Sequence, residues 1–277
     1  FVSLGIIILL IFSFLNRKTL IYLSIALFIL FFLFLILVPF FGIEVKGSRR
    51  WMDIGPLPRF QPIELLKPFF IILISYFLFT NKDKNKYLNY FLSSFIVLPI
   101  ILLLIAQPDI GQTLLITMIW LSIIFVSGIN LAVFFSFFLF FGSSIFLLVT
   151  YFPRFIYIKK RLVSFFDPNL EKYSQSEKAL DAIINGGFFG RGIGEGQLNS
   201  KIPEAHTDYI ISVISEEFGA IALILIMILY IIFSYQVIKK IETEKDDLFK
   251  LILLGSITLI LLQTFIHIGV NIRLLPT

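Results

Sequence analysis

The sequence predicts an all-α, polytopic transmembrane bundle, and three observations carry that reading. Hydrophobic residues fill 58% of the 277 positions and charged residues only 15%, against about 45–50% and about 25% in soluble domains. Apolar runs long enough to cross about 30 Å of hydrocarbon recur along the chain. The charged, Gly and Pro residues gather in the breaks between those runs. So little charge cannot cover a water-facing globule, which excludes an ordinary soluble enzyme, a disordered chain and a coiled coil. The 34 Phe, 2 Trp and 10 Tyr suit lipid-facing helices and interfacial belts.

Eight spans are expected, at 1–15, 19–40, 64–80, 88–106, 111–127, 131–150, 209–236 and 248–270. The first starts inside an apolar run, without a charged n-region or a small-residue cleavage site, so it reads as a helix cut at its start rather than a signal peptide. Strands are not required anywhere, because backbone in lipid must satisfy itself and long apolar runs do so as helices. All eight belong to a single transmembrane domain over 1–277.

Two connections are too long to be turns. Segment 41–63 carries Lys46, Arg49, Arg50, Trp51, Asp53 and Arg59 among Gly and Pro. Segment 151–208 far exceeds the usual loop length and holds its own helix signal. Ser174 to Glu177 fits a capping box, Ala179, Leu180, Ile183 and Ile184 give an apolar face, and Asn185-Gly186 supplies a stop. The loop is therefore expected to be structured and to lie on the membrane surface.

With no Cys there is no disulfide, no thiolate nucleophile and no zinc–thiolate site, and two His make a His-rich metal centre a poor fit. The net charge of +5 favours anionic lipid or phosphate, and no basic stripe points to nucleic acid. Alternating the helices puts 8 Lys/Arg on one side and 12 on the side of the two long loops, so charge counting alone would turn those loops to the cytoplasm.

Four stretches stand out from the Ile/Leu/Phe background: Gly47-Ser-Arg-Arg-Trp51-Met-Asp-Ile-Gly55 with Gln61-Pro62-Ile63-Glu64-Leu-Leu-Lys67; Gln107-Pro108-Asp109-Ile110-Gly111-Gln112; Gly186-Gly187-Phe-Phe-Gly190-Arg191-Gly192-Ile-Gly194-Glu-Gly196; and Pro203-Glu204-Ala205-His206-Thr207-Asp208-Tyr209, running on to Glu216-Glu217-Phe218-Gly219. In this order they closely resemble the SEDS family (shape, elongation, division and sporulation) of multispanning peptidoglycan glycosyltransferases, over essentially the whole chain. Gln112 and the glycine-rich run are most similar to its cell-division branch, with the elongation branch as the alternative. Departures are Ile63 where Ser is usual, Ile202 for Leu, Tyr209 for Phe, and His267 where Asn is commoner. The family has ten helices, so the resemblance implies that the first and last lie outside these 277 residues.

The resemblance implies polymerisation of lipid II at the bacterial cytoplasmic (inner) membrane, at the division septum. The long loops would face the periplasm, against the charge count, and undecaprenyl pyrophosphate would leave with inversion. It further implies a class B penicillin-binding transpeptidase and other divisome proteins as partners, and leaves room for a divalent cation, Mg²⁺ or Mn²⁺. A lipid II flippase is the rival of a different class, since broken helices and intramembrane carboxylates suit transport too.

On their own physics, the residues divide as follows. Asp208 after Thr207 begins a helix, where the dipole and free N–H groups stabilise a carboxylate; it is either a cap residue or, as the resemblance implies, the catalytic base. Glu204, His206 and Thr207 precede it as substrate-loop candidates, with a surface His as the plain alternative. Glu64 and Lys67 stand at i, i+3 and can pair with each other. Arg50 and Lys67, in a cluster with Arg49 and Arg59, suit either lipid headgroups or a lipid pyrophosphate. Gln107, Pro108 and Asp109 mark a helix break, structural or ligand-contacting. Gly187 and Gly190 belong to a loop that is not a P-loop, because no Lys-Ser/Thr follows; it more naturally shapes itself around a glycan. Glu216 and Glu217 sit about 12–13 Å along the helix from Asp208, where packing or pairing with Lys67 or an Arg is the sober expectation.

Overall fold

The computed structural model describes all residues except 1, 46–47, 56–57, 82–84, 152–162, 164–174, 198–204, 206–207 and 276–277. Its elements are α1 (Val2–Ser13), α2 (Arg17–Phe41), β1 (Ile43–Val45), β2 (Ser48–Trp51), α3 (Pro62–Thr80), α4 (Lys86–Ala106), α5 (Ile110–Val126), α6 (Leu131–Tyr151), α7 (Gln175–Gly186), α8 (Ile210–Thr243) and α9 (Asp247–Asn271). Each of the eight expected spans has its helix, and the helix expected within 151–208 is α7, the Ser174 of its capping box lying outside the described residues. Six of these helices are long and apolar enough to cross a membrane, and α5 is a shorter apolar helix.

Local chemistry sets the helix starts. Asn16 accepts from the Thr19 N–H at 2.9 Å to open α2, and Asn85 caps α4 through the N–H groups of Tyr87 and Leu88. Pro62 opens α3, where its missing N–H costs nothing. Asp109 opens α5 by accepting from Gln112 N–H.

Segment 41–63 departs from the strand-free expectation. β1 and β2 pair antiparallel, with Val45 opposite Ser48 and Glu44 opposite Arg49, and a further bridge joins Met52 to Phe60. The reason is composition: this segment is polar enough to leave lipid, so its backbone is satisfied across a hairpin rather than along a helix.

The helices pack as two units. The first holds residues 1–138 with 244–256, and the second 139–243 with 257–277. In the first, Leu35, Ile63, Leu66, Phe70, Ile74, Ile100, Leu104, Ile116, Ile119 and Trp120 from α2 to α5 are wholly buried. The Trp120 indole donates to Ser93 Oγ at 3.0 Å, satisfying its one polar atom. In the second, Tyr209 is buried against Ala179 and Ala182 of α7, with Val270 of α9 beside them. That packing fixes the point where the chain enters α8.

Candidate functional site

In the first unit, the break between α4 and α5 collects the polar residues of two motifs. Arg50 reaches from β2 and donates to the carbonyls of Gln107, at 3.4 Å, and Pro108, and its Nε lies 3.7 Å from Asp109 Oδ2. Gln61 Nε2 donates to the same carboxylate oxygen at 3.0 Å. Gln112 Nε2 donates to Glu64 Oε1 at 2.7 Å, and Lys67, 1% exposed, pairs with Glu64 Oε2 at 2.6 Å. Gln107 Nε2 donates to the Leu35 carbonyl at 3.1 Å, tying the break to α2.

Asp109 lies outside both flanking helices. Burial pushes its carboxyl above the ordinary aspartate range; the Arg50 charge, the Gln112 N–H and the Gln61 amide pull it back, and the Glu64 charge adds to the rise.

Each cation of the expected cluster faces a carboxylate: Arg49 with Glu44 at 3.7 Å, Arg50 with Asp109, Arg59 with Asp53 at 3.3 Å, and Lys67 with Glu64. Within segment 41–63, Arg49, Arg50 and Arg59 are thus each set against a carboxylate.

In the second unit, Asp208 sits in an exposed turn. The first helical bonds of α8 run from Ser212 and Val213 N–H to the Tyr209 carbonyl. Tyr209 thus caps the helix, and Asp208 lies one residue outside it rather than in its first turn. The buried Tyr209 ring holds the chain there. Asn271, fully buried at the end of α9, donates its Nδ2 to the Asp208 carbonyl at 2.9 Å and to the His267 carbonyl at 2.8 Å.

The glycine-rich run is not an open loop. α8 is broken at Gly219, whose φ of 78° and ψ of 179° no L side chain adopts easily. The run fills that break with backbone bonds. Arg191 and Gly192 N–H donate to the Glu216 and Glu217 carbonyls at 2.9 and 3.1 Å, while Ala220 and Ile221 N–H donate to the Gly187 and Phe188 carbonyls at 2.9 and 3.3 Å. A Cβ on Gly190 would collide with the Glu217 carbonyl oxygen, so this crossing requires glycine. Glu216, wholly buried, accepts on Oε1 from Asn185 Nδ2 and Gln197 N–H, both at 3.0 Å. Glu217 Oε1 accepts from Gly194 N–H at 3.2 Å. Both carboxylates thus hold the loop through its amides, a role that unbroken helical spacing does not reveal.

Glu204, His206 and Thr207 lie outside the described residues. Among the described residues, no three His, Asp or Glu side chains form a group that could hold a metal ion. Sequence reasoning missed Asn271 as a partner of Asp208; its signal was a lone amide at the end of an apolar helix. Gln61 and Gln112 stand in the quoted motifs, and only the fold gives them carboxylate partners.

The cell cycle protein family of FtsW, RodA and SpoVE matches residues 1–277. The chain is 35% identical over 274 residues to the probable peptidoglycan glycosyltransferase FtsW of Buchnera aphidicola, covering 96% of this chain and 75% of that one. It is 34% identical over 256 residues to the probable peptidoglycan glycosyltransferase FtsW of Nitrosococcus halophilus, covering 88% of this chain and 64% of that one. Among solved structures, a chain from a peptidoglycan synthase complex superposes with a TM-score of 0.80 at 24% identity, over 100% of this chain and 78% of that one. The rod shape determining protein RodA of Thermus thermophilus superposes with 0.68 at 23% identity, over 97% and 72%. These likenesses share the helical membrane fold, and with the helices long enough to span, the chain is a multi-pass membrane protein that belongs to the FtsW/RodA/SpoVE family of cell cycle proteins.

Proposed function

We propose that the protein is a peptidoglycan glycosyltransferase of the cell-division branch, polymerising lipid II at the septum. The observation that carries the reading is Asp208: an exposed carboxylate on a backbone pinned by a buried amide and a buried tyrosine, within the motif that best matches the family. Its relatives bear the name peptidoglycan glycosyltransferase FtsW, which supports the same reaction.

In the proposed reaction the acceptor GlcNAc 4-hydroxyl attacks C1 of the donor MurNAc. Asp208 takes the hydroxyl proton as the C1–O bond forms, and the bond from C1 to the phosphate oxygen breaks. Undecaprenyl pyrophosphate departs with the electron pair, and the α-linked donor becomes a β-1,4 linkage. Exposure leaves Asp208 reachable, and its fixed carbonyl holds the carboxylate near one place, which favours an oriented base. Glu204, His206 and Thr207 adjoin it in sequence and are proposed to contact the sugars. No step is assigned to a metal ion.

The likeness to a chain of a complex that couples polymerization and crosslinking supports a class B penicillin-binding transpeptidase as the proposed partner; the long loops are proposed to face the periplasm. The test is lipid II polymerisation by the purified full-length protein with its transpeptidase. Asp208→Asn is expected to lower the rate by about 10²-fold or more with folding intact. A folded Asn variant that still makes glycan at the normal rate removes Asp208 from the chemistry and reopens the transport reading.

A further inference from the structure

We infer that Asn271 is a positioning residue for Asp208, and this rests on Asp208 being the base. Asn271 closes α9 and has no exposed surface. Its Nδ2 bridges two carbonyls: that of His267, one turn back on its own helix, and that of Asp208, 63 residues away in sequence. Among the described residues, no group donates to Asn271 Oδ1, although that atom is buried. The side chain therefore carries the cost of an unsatisfied acceptor. A residue kept only for packing has no need of it, since a leucine fills the same shape without a polar atom.

What the amide supplies is the donor to Asp208. The Asp208 carbonyl precedes the helix and stands outside its ladder of bonds, so the Asn271 amide fixes the peptide plane that follows the Asp208 Cα. On the other side, Tyr209 is locked between α7 and Val270. With one flanking peptide and the next side chain fixed, the carboxylate is left with little beyond its own rotamers. The end of α9 reinforces the anchor: Arg273 turns the chain at a φ of 56°, and Leu274 N–H returns to the Gly269 carbonyl at 2.7 Å. The helix terminus that holds Asn271 is thereby closed rather than frayed.

The test compares Asn271→Leu, Asn271→Asp and Asp208→Asn in the full-length protein. Polymerisation rate, thermal unfolding and amide hydrogen exchange over residues 205–213 are measured for each. Leucine keeps the volume, removes the orphaned oxygen and deletes the donor. It is expected to leave the unfolding temperature unchanged or higher, to speed exchange at the start of α8, and to lower kcat by about 10- to 100-fold, the scale of a small misplacement of a catalytic group. The Asp variant keeps shape and one oxygen, and donates only when protonated. Its rate relative to the Leu variant is expected to rise as pH falls. A Leu variant with normal kcat, or one whose rate loss merely follows a fall in stability, overturns the inference. If Asp208→Asn is itself active, the base assignment fails instead, so the two failures are told apart.

Discussion

Arg50 Nε lies 3.7 Å from the Asp109 carboxylate, while the same guanidinium donates to the carbonyls of the two residues before it. One side chain from a hairpin thus closes the break between α4 and α5.

That arrangement makes Arg50 a structural joint first. Arg50→Ala is expected to destabilise the fold by about 2–3 kcal/mol, since it strips charge-assisted bonds from a partly buried site. Arg50→Lys should recover part of this, because an ammonium keeps the charge opposite Asp109 but lacks the fork. Arg59→Ala, which removes an exposed pair, should cost under about 1 kcal/mol. Thermal unfolding in detergent reads all three. An Arg50→Ala protein of unchanged stability that needs more lipid II for half-maximal rate would assign the guanidinium to the pyrophosphate instead.

Asp109 gives a pH dependence with a definite sign. Its native carboxyl binds a proton more tightly than the ordinary aspartate value of 3.8 implies. The folded state therefore gains most where the group is protonated. This contribution declines as pH rises from the ordinary value through the raised native one, then levels off. Asp109→Asn cannot titrate, so its stability should improve relative to wild type across that window and run parallel above it. Unfolding temperatures of both proteins, measured from acid to neutral pH, check the slope; parallel curves throughout would remove the effect.

Glycines at two positions should respond oppositely to alanine. At Gly219 a Cβ would run into the Phe188 carbonyl oxygen, in a left-handed backbone. The loss expected for Gly219→Ala is about 3 kcal/mol or more, from overlap added to strain. Gly142 lies within α6, and a methyl group added there would meet nothing inside 4 Å. At that position alanine should be neutral or stabilising by up to about 1 kcal/mol. Comparable effects at both sites, in the same unfolding assay, would mean that the loop does not clasp the helix.

Sidedness is open to direct labelling, because the chain has no cysteine of its own. Glu195, exposed in the glycine-rich loop, suits a Glu195→Cys probe, whereas Ser176 on α7 is 2% exposed and would react poorly from either side. Reaction with an impermeant thiol reagent in intact cells is the expected result. Labelling that requires a broken membrane would return the long loops to the cytoplasm, as the charge count alone prefers.

Much of the architecture was legible because lipid enforces it: apolar length gives the spans, and Asn185-Gly186 marks the end of α7. The Glu64–Lys67 pair was legible too, since i, i+3 spacing on a helix is a local rule. What escaped were relations between distant segments. Glu216 reads as an intramembrane acid in an unbroken helix until the loop is seen to occupy the break at Gly219. The cations at 49, 50, 59 and 67 suit lipid headgroups or a pyrophosphate by sequence, and only the fold shows Glu44, Asp109, Asp53 and Glu64 beside them. Asn271 carries no periodic or motif signal, because its meaning lies in one bond to a residue far away in sequence.

The break at Gly219 also has a mechanical consequence. An unbroken α8 of 34 residues would be about 51 Å long, well beyond the roughly 30 Å of bilayer hydrocarbon. The stretch from Ala220 to Thr243 is, at about 36 Å, sufficient to cross by itself. Changes in bilayer thickness are met by tilting a span, and a rigid rod would carry that tilt to whatever is mounted on its end. Here the rod is jointed, and the short segment after Asp208 takes its bearing from the glycine loop, α7 and Asn271. The loop bonds both sides of that joint and Asn271 ends a span of its own, so Asp208 is braced by several elements at once rather than carried on the end of one rod.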